Sequence, residues 1–465
     1  MPQGVKASIA FFIASLITKG IGYITTPLFT RLLSAEEFGQ VSVYLTWMQV
    51  FGIVAMFCLS YGVFNNGMVD FSEQRDEYSF SMLMLSNIIS LCFFGILLGL
   101  YPIIRAWLDI DLPLLILMCV LFFVQPAYNF WIAKQRYELK YKWTVVWTVF
   151  SSFLSPLISI VCILFCGDNK VYARLFGAEV TLIVIYVAFY FYLGFKAKWR
   201  VNIRFWKAAL LFNLPLIPHY LSSYLLSSSN TLLISHIVGD SATAYYSVAH
   251  SVATVVTIVW TSINTTLIPY TYEHCKKKDY ESVAVITLPI LSLFAVACVF
   301  LIMLAPEIVR VMGTSDYLEA IYVIPPIIGG IFFQVQYYIY ANILYYYKKP
   351  KYVMFSSVTA TVMNIVLNYI LISQFGYLAA GYVTMACYLL QATIDYFAMK
   401  KVVGQQIYNM RFIGLLSLAV VMIALLSNMI YSYMWIRYTI ILAILIVAFL
   451  FRSKIFALLK VIKKR

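Results

Sequence analysis

Close to the N-terminus, a long apolar stretch carries a single cation in Ile17-Thr18-Lys19-Gly20-Ile21-Gly22-Tyr23. Built as helix at about 1.5 Å per residue, Lys19 lies about 18 Å beyond Ala7, near the midplane of a bilayer. An ionised side chain there costs roughly 2.5–3.5 kcal/mol on insertion scales, so it needs a wet cavity or a partner. A cation at that depth suits an anionic ligand such as a diphosphate, because attraction is strong where water is scarce. The alternative is a structural pair with Glu179. Gly20 and Gly22 would permit close packing or local bending.

His219, Ser223, Ser227 and Asn230 follow one another at intervals of four, four and three, which places them on one helix face. Such a stripe either lines a polar cavity or makes hydrogen bonds between helices. Pro215 and Pro218 just before it would loosen the helix and favour a bend. His250 joins this stripe or packs. Gln334, Tyr337, Tyr338, Asn342 and Tyr345 also recur at helical spacing, a mixture able to stack on sugars and hydrogen-bond to them. Tyr345, Tyr346 and Tyr347 beside Lys348 read as an interfacial aromatic belt. Glu179, about 9 Å into its helix, is deep enough to require a partner. Together with His250 and Asp395 it is a candidate for coupling to a proton or sodium ion, although Asp395, close to Lys400, reads as interfacial.

The elements that must hold these groups follow from composition. Of 465 residues, 63% are hydrophobic and only 11% charged, against about 25% charged in soluble domains. Mean hydropathy is +0.87. Apolar runs of about 20 residues recur along the whole chain, long enough to cross about 30 Å of hydrocarbon as helix and too long for barrel strands. The expected fold is an all-α polytopic membrane protein with about fourteen spans. They are placed near 7–28, 39–64, 80–101, 112–133, 143–165, 173–194, 208–237, 242–268, 282–304, 320–346, 353–373, 378–400, 411–430 and 434–452. The first run lacks a small-residue cleavage site behind it and reads as a retained helix.

The net charge of +14 is explained by position. With the N-terminus inside, 26 of the 33 Lys and Arg fall in inward segments and six in outward ones, Arg31, Arg105, Lys170, Arg174, Arg310 and Arg437; the last is Lys19. This is the positive-inside pattern, and it expects both termini in the cytoplasm. A nucleic-acid partner is not expected. Cys162 and Cys166 are four apart, but no His or further Cys completes a metal set, so the eight cysteines read as packing and no metal or cofactor is expected. The outward loop 305–319 offers Glu307, Arg310, Asp316 and Glu319 without a catalytic pattern, which argues against an enzyme.

Sliding the chain on itself by 205 residues pairs Thr26 with Thr231, Leu28 with Leu233, Ser42 with Ser247 and Val43 with Val248. At an offset of 209, Ser155 and Ser159 fall on Asn364 and Asn368, and Gly167 on Gly376; Gly177 meets Gly381 at 204. The expected organisation is a six-helix bundle over 1–194, a basic linker at 195–207, a second six-helix bundle over 208–401, and two helices with a basic tail over 402–465. An even number of spans per half makes the repeats parallel, with a binding site between them and alternating access by rocking.

The stretch Thr30-Arg31-Leu32-Leu33-Ser34-Ala35-Glu36-Glu37-Phe38-Gly39 resembles the start of the polysaccharide, or O-antigen, flippases of the multidrug, oligosaccharidyl-lipid and polysaccharide exporter superfamily. Asn364-Ile365-Val366-Leu367-Asn368, then Phe375-Gly376 and Ala380-Gly381, resembles that group's eleventh and twelfth spans, and Lys348-Lys349-Pro350-Lys351 also fits. The resemblance implies a V-shaped arrangement of two six-helix bundles plus two helices in the bacterial inner membrane. It implies an undecaprenyl-diphosphate-linked repeat unit as substrate, moved from the cytoplasmic to the periplasmic leaflet, with polymerase and chain-length machinery as partners. Basic residues in the central cavity would be Lys19 and Arg31. The substrate-cavity set is then Lys19, Arg31, His219, Ser223, Ser227, Asn230, Gln334, Asn364 and Asn368. One departure is Asn230, where many relatives carry a charge in span seven. Competing readings are a drug or metabolite exporter of the same superfamily, which would want an acidic cavity, and a membrane enzyme of polysaccharide assembly.

Overall fold

The computed structural model describes residues 3–60, 62–214 and 217–450. In chain order the helices are α1 Gln3–Leu32, α2 Ala35–Ala55, α3 Gly62–Asp70, α4 Arg75–Leu108, α5 Leu112–Tyr137, α6 Tyr141–Phe165 and α7 Lys170–Lys196. They continue as α8 Arg204–Asn213, α9 Ile217–Ile237, α10 Asp240–Lys276, α11 Tyr280–Met303, α12 Ala305–Met312, α13 Ile324–Tyr346, α14 Pro350–Phe375, α15 Leu378–Val403, α16 Met410–Ile430 and α17 Met434–Leu450. A 3-10 segment, Ser315–Tyr322, precedes α13.

Ten described helices are long and apolar enough to span a bilayer: α2, α4, α5, α6, α7, α10, α11, α13, α14 and α16. With α1, α9, α15 and α17 they match the fourteen expected spans one for one. Serines and Asn230 in α9, and Gln391 and Asp395 in α15, dilute the hydropathy of those two. The protein is an all-helical multi-pass membrane protein.

Three spans differ from the simple reading. The run 39–64 is interrupted after α2, where Phe57 and Cys58 take left-handed backbone angles of φ 53° and 49°. Ser90 Oγ donates to Ala55 O at 2.9 Å and Asn213 Nδ2 to Phe57 O at 2.9 Å, supplying donors that the broken helix lacks. The run 208–237 is two helices. The first, α8, buries Phe205, Ala209 and Asn213 along one stripe and exposes Arg204 and Lys207 on the other side, an interfacial pattern. It takes up the end of the expected 195–207 linker. Before α13, the outward loop is folded as α12 and the 3-10 segment.

The chain divides into two compact units, 1–224 and 225–465, whose boundary falls inside α9. In the first, a core of Phe64, Tyr78, Phe130, Trp131, Tyr186 and Phe189 is built from α3, α4, α5 and α7. Aromatic pairs such as Trp131–Phe189, with centroids 4.4 Å apart, close it. Close helix approach is set by Gly177: a Cβ there would sit 2.8 Å from Ser159 Cα of α6. In the second unit, α13 is buried along almost its whole length. Gly330 lets it approach α15, where an added Cβ would meet Met385 Cα at 3.3 Å.

Candidate functional site

In the first unit, the motif that closes α1 and opens α2 has a local task. Ser34 Oγ accepts from Glu37 N at 3.1 Å and Ser34 N donates to Glu37 Oε2 at 2.7 Å, a capping box that fixes the start of α2. Lys170 Nζ donates to Leu32 O at 3.2 Å and covers the end of α1. Arg31 is exposed and its Nη1 donates to Pro27 O at 2.8 Å. Lys19 is exposed, and no ion pair among the described residues includes it, so the pairing with Glu179 is not made. Among the described residues, added Cβ atoms at Gly20 and Gly22 would meet nothing within 4 Å, so no close packing is made at these glycines there.

Glu179 is 3% exposed in the middle of α7, and its Oε2 has no hydrogen-bond partner among the described residues. Arg174, whose charge acts on it, is engaged elsewhere. Its guanidinium lies 4.0 Å from the centre of the Phe29 ring and donates to Ser159 Oγ at 3.0 Å. The hydroxyl of Tyr44, buried and without a partner among the described residues, is electrostatically coupled to Glu179. Tyr44 also lines a cavity of about 580 Å³ at the N-terminal ends of α2, α5 and α7 and the C-terminal end of α4, with Glu37, Asp109, Asp111 and Lys170 around it. The buried Glu179 carboxylate is therefore coupled electrostatically to a tyrosine that lines this cavity.

In the second unit, three predicted residues come together. Asn368 Nδ2 donates to Asn230 Oδ1 at 2.6 Å and to Asn364 Oδ1 at 3.0 Å. Asn230 Nδ2 donates to Tyr246 OH at 2.5 Å and Thr384 Oγ1 at 2.6 Å, and Ser229 Oγ to Asn364 Oδ1 at 3.1 Å. All three asparagines are 0% exposed, so the cluster ties α9, α10, α14 and α15 together. Gln334 donates to Tyr388 OH at 3.0 Å, and His250 stacks on Tyr246 with centroids 6.3 Å apart. Ser223 is exposed, whereas the side chains of His219 and Ser227 lie outside the described residues. Asp395 is fully buried within the protein: Ser356 Oγ donates to its Oδ2 at 2.9 Å and its Oδ1 has no partner among the described residues.

Sequence reasoning passed over Gln49, Gln125 and Asn129. They line a cavity of about 370 Å³ between α2 and α5 in the first unit, together with Met56, Phe122 and Arg136. The signal was present, since Gln125, Asn129 and Arg136 are four and seven apart on one face of α5.

Fold and polar interior define an all-helical, multi-pass membrane protein with buried polar clusters inside its helix bundles. Residues 5–274 match the family described as "Polysaccharide biosynthesis protein", and the chain belongs to that family. Residues 215–370 match the MatE family. Protein 1 of the Lsg locus of Haemophilus influenzae is 22% identical over 370 residues, covering 77% of this chain and 89% of that protein. Among solved structures, the lipid II flippase MurJ in an inward closed conformation is similar with a TM-score of 0.72 at 15% identity, over 96% of this chain and 100% of that one. An inward-facing multidrug resistance MATE transporter gives a TM-score of 0.60 at 13% identity, over 83% of this chain and 94% of that one.

Proposed function

We propose that this protein is a flippase that carries an undecaprenyl-diphosphate-linked oligosaccharide, the repeat unit of an O-antigen or another surface polysaccharide, from the cytoplasmic to the periplasmic leaflet by alternating access. It works in the bacterial inner membrane with both termini in the cytoplasm, as the loop charges support. The observation that carries the reading is the pairing of membership in a polysaccharide biosynthesis family with a fold like a lipid II flippase over nearly the whole chain. The MATE likeness covers less of the chain, which ranks a drug exporter second. An enzymatic role is not part of the proposal. Lys19 and Arg31 contact the diphosphate, and polar side chains pass the sugars while the lipid tail stays in the bilayer. A proton or sodium gradient drives the cycle, and the product is handed to polymerase and chain-length machinery.

The test is transfer of a defined lipid-linked oligosaccharide between leaflets of proteoliposomes, with and without an ion gradient. Wild-type protein should transfer it, Lys19→Arg should retain transfer, and Lys19→Ala should lower it by about tenfold or more, the loss of one charge-assisted contact. Transfer of a cationic dye but not of the lipid would favour the exporter. Unimpaired transfer by Lys19→Ala would remove Lys19 from the path.

A further inference from the structure

The cavity between α2 and α5 lies at the ends of those helices that loop charge assigns to the cytoplasm. Its volume of about 370 Å³ is within the range of small-molecule sites, about 300–1,000 Å³. Its wall is unusual for a membrane span because three amides line it and one of their buried atoms has no partner among the described residues. Gln125 Oε1 is buried and makes no hydrogen bond among the described residues, and Asn129 Nδ2 contacts the weak acceptor Met56 Sδ at 3.9 Å. Gln49 faces them from α2. A buried polar atom without a partner costs free energy, so the retention of Gln125 beside two further amides in a span points to a ligand that satisfies them.

Charge narrows the ligand. Among the described residues no acidic side chain lines the cavity, which disfavours cations. Its one ionised group is Arg136, in the last turn of α5. The neighbouring lysines are neutralised: Lys134 pairs with Asp76 and Glu138, and Lys140 with Glu138. Arg136 has no carboxylate partner among the described residues; its guanidinium lies 5.6 Å from the centre of the Phe11 ring. A planar fork of donors that is free of carboxylates matches phosphate oxygens. Amides that both donate and accept match ring hydroxyls, and Phe122 and Met56 offer apolar faces to sugar C–H groups.

Backbone strain marks the same place. The two consecutive left-handed residues Phe57 and Cys58 end α2 at the cavity, and Pro126, next to Gln125, removes the N–H that would bond the Phe122 carbonyl.

We propose that this cavity takes the head of the substrate before it crosses, with the diphosphate against Arg136 and the first sugar against Gln49, Gln125 and Asn129. The assignment rests on the flippase reading above. Its test places a photo-crosslinking amino acid at position 49 of the full-length protein in membranes and offers radiolabelled undecaprenyl-diphosphate oligosaccharide. Capture should fall about tenfold or more with Arg136→Ala and be partly kept with Arg136→Lys. Gln125→Leu and Asn129→Leu should weaken capture of the sugar-bearing lipid and leave capture of sugar-free undecaprenyl diphosphate unchanged. Gln125→Asn, which keeps an amide but shortens its reach, should give an intermediate loss and guards against a failure to fold. Equal capture by wild-type protein and Arg136→Ala, or no discrimination between the two lipids, would overturn the assignment. If wild-type protein transfers the lipid in proteoliposomes and the Arg136 and Gln125 variants do so at its rate, only this cavity loses its role. If wild-type protein transfers none, the flippase reading falls as well.

Discussion

Asn368 of α14 donates to Asn230 of α9 across 2.6 Å, with both side chains fully buried. A charged side chain at position 230 would have to be satisfied inside this same lattice, whereas the amide gives both its hydrogens to Tyr246 and Thr384. The pair is a fastening between helices. A double-mutant cycle with Asn230→Ala and Asn368→Ala should give a coupling of about 0.6–1.7 kcal/mol in thermal or denaturant unfolding, the range for hydrogen bonds between membrane helices. Strictly additive losses would show that the bond carries no energy of its own.

The spans were legible because a helix in lipid must be apolar for about 20 residues, and little else satisfies that requirement. The interruptions were not, because hydropathy runs straight through Phe57 and Cys58, and only the donors Ser90 and Asn213, distant in sequence, make the break tolerable. Asn364 and Asn368 were visible as polar groups in a span, yet residue type alone does not separate a cavity lining from a helix fastening; their zero exposure does. Arg136 was counted among the loop charges, which hid its place on the same face as Gln125 and Asn129. Ser34 and Glu37 carried the family resemblance while their immediate task, the capping box, is readable from spacing alone.

Glu179 and Tyr44 supply the first functional prediction. A carboxylate that is buried in a span, has no bonded cation among the described residues and is coupled to a tyrosine lining a cavity suits a group that loads and unloads a proton. Glu179→Gln keeps the shape and removes the exchangeable charge. It should leave unfolding within about 0.5 kcal/mol of wild type while lowering gradient-driven transfer in proteoliposomes about tenfold. Tyr44→Phe should slow the same step by a smaller factor. Transfer by Glu179→Gln that responds to the gradient as wild type does would exclude Glu179 from coupling.

Arg437 and Glu307 anchor the terminal hairpin. Arg437 of α17 is 4% exposed and donates to Glu307 Oε2 at 2.8 Å and Met303 O at 3.0 Å, while Tyr438 OH donates to Glu307 Oε1 at 3.0 Å. Burial pushes the Glu307 carboxyl up, but hydrogen bonds, led by that from Arg437, outweigh it and hold the group below its ordinary value. Glu307→Gln strands a buried guanidinium, so stability should fall by about 2–4 kcal/mol, somewhat below the full cost of breaking a wholly buried pair because Glu307 is partly exposed. Glu307→Gln combined with Arg437→Met should recover much of the loss. Thermal unfolding in detergent checks this, and a double variant no more stable than the single one would show that the pair is not what fastens α17.

The turn between α10 and α11 offers a pH-dependent contact outside the membrane. Asp279 caps α11 by accepting from Ser282 N at 3.2 Å, and its Oδ2 lies 2.9 Å from His274 Nδ1. Hydrogen bonds from the Ser282 side chain, then from His274 and the Ser282 backbone, bring the Asp279 carboxyl from 3.8 to about 2. A carboxyl whose pKa is lower in the folded chain stabilises the fold above its unfolded value, and the contribution disappears as pH falls through the folded one. The window is therefore about pH 4 down to pH 2. Hydrogen exchange at the first turn of α11 should show protection declining across that window in the wild type. Asp279→Asn keeps an oxygen able to cap but has no proton to gain, so its protection should start lower and stay level, and the two should converge at the acid end. A wild-type profile that runs parallel to the variant's throughout would mean that the carboxylate is not held by these partners in solution.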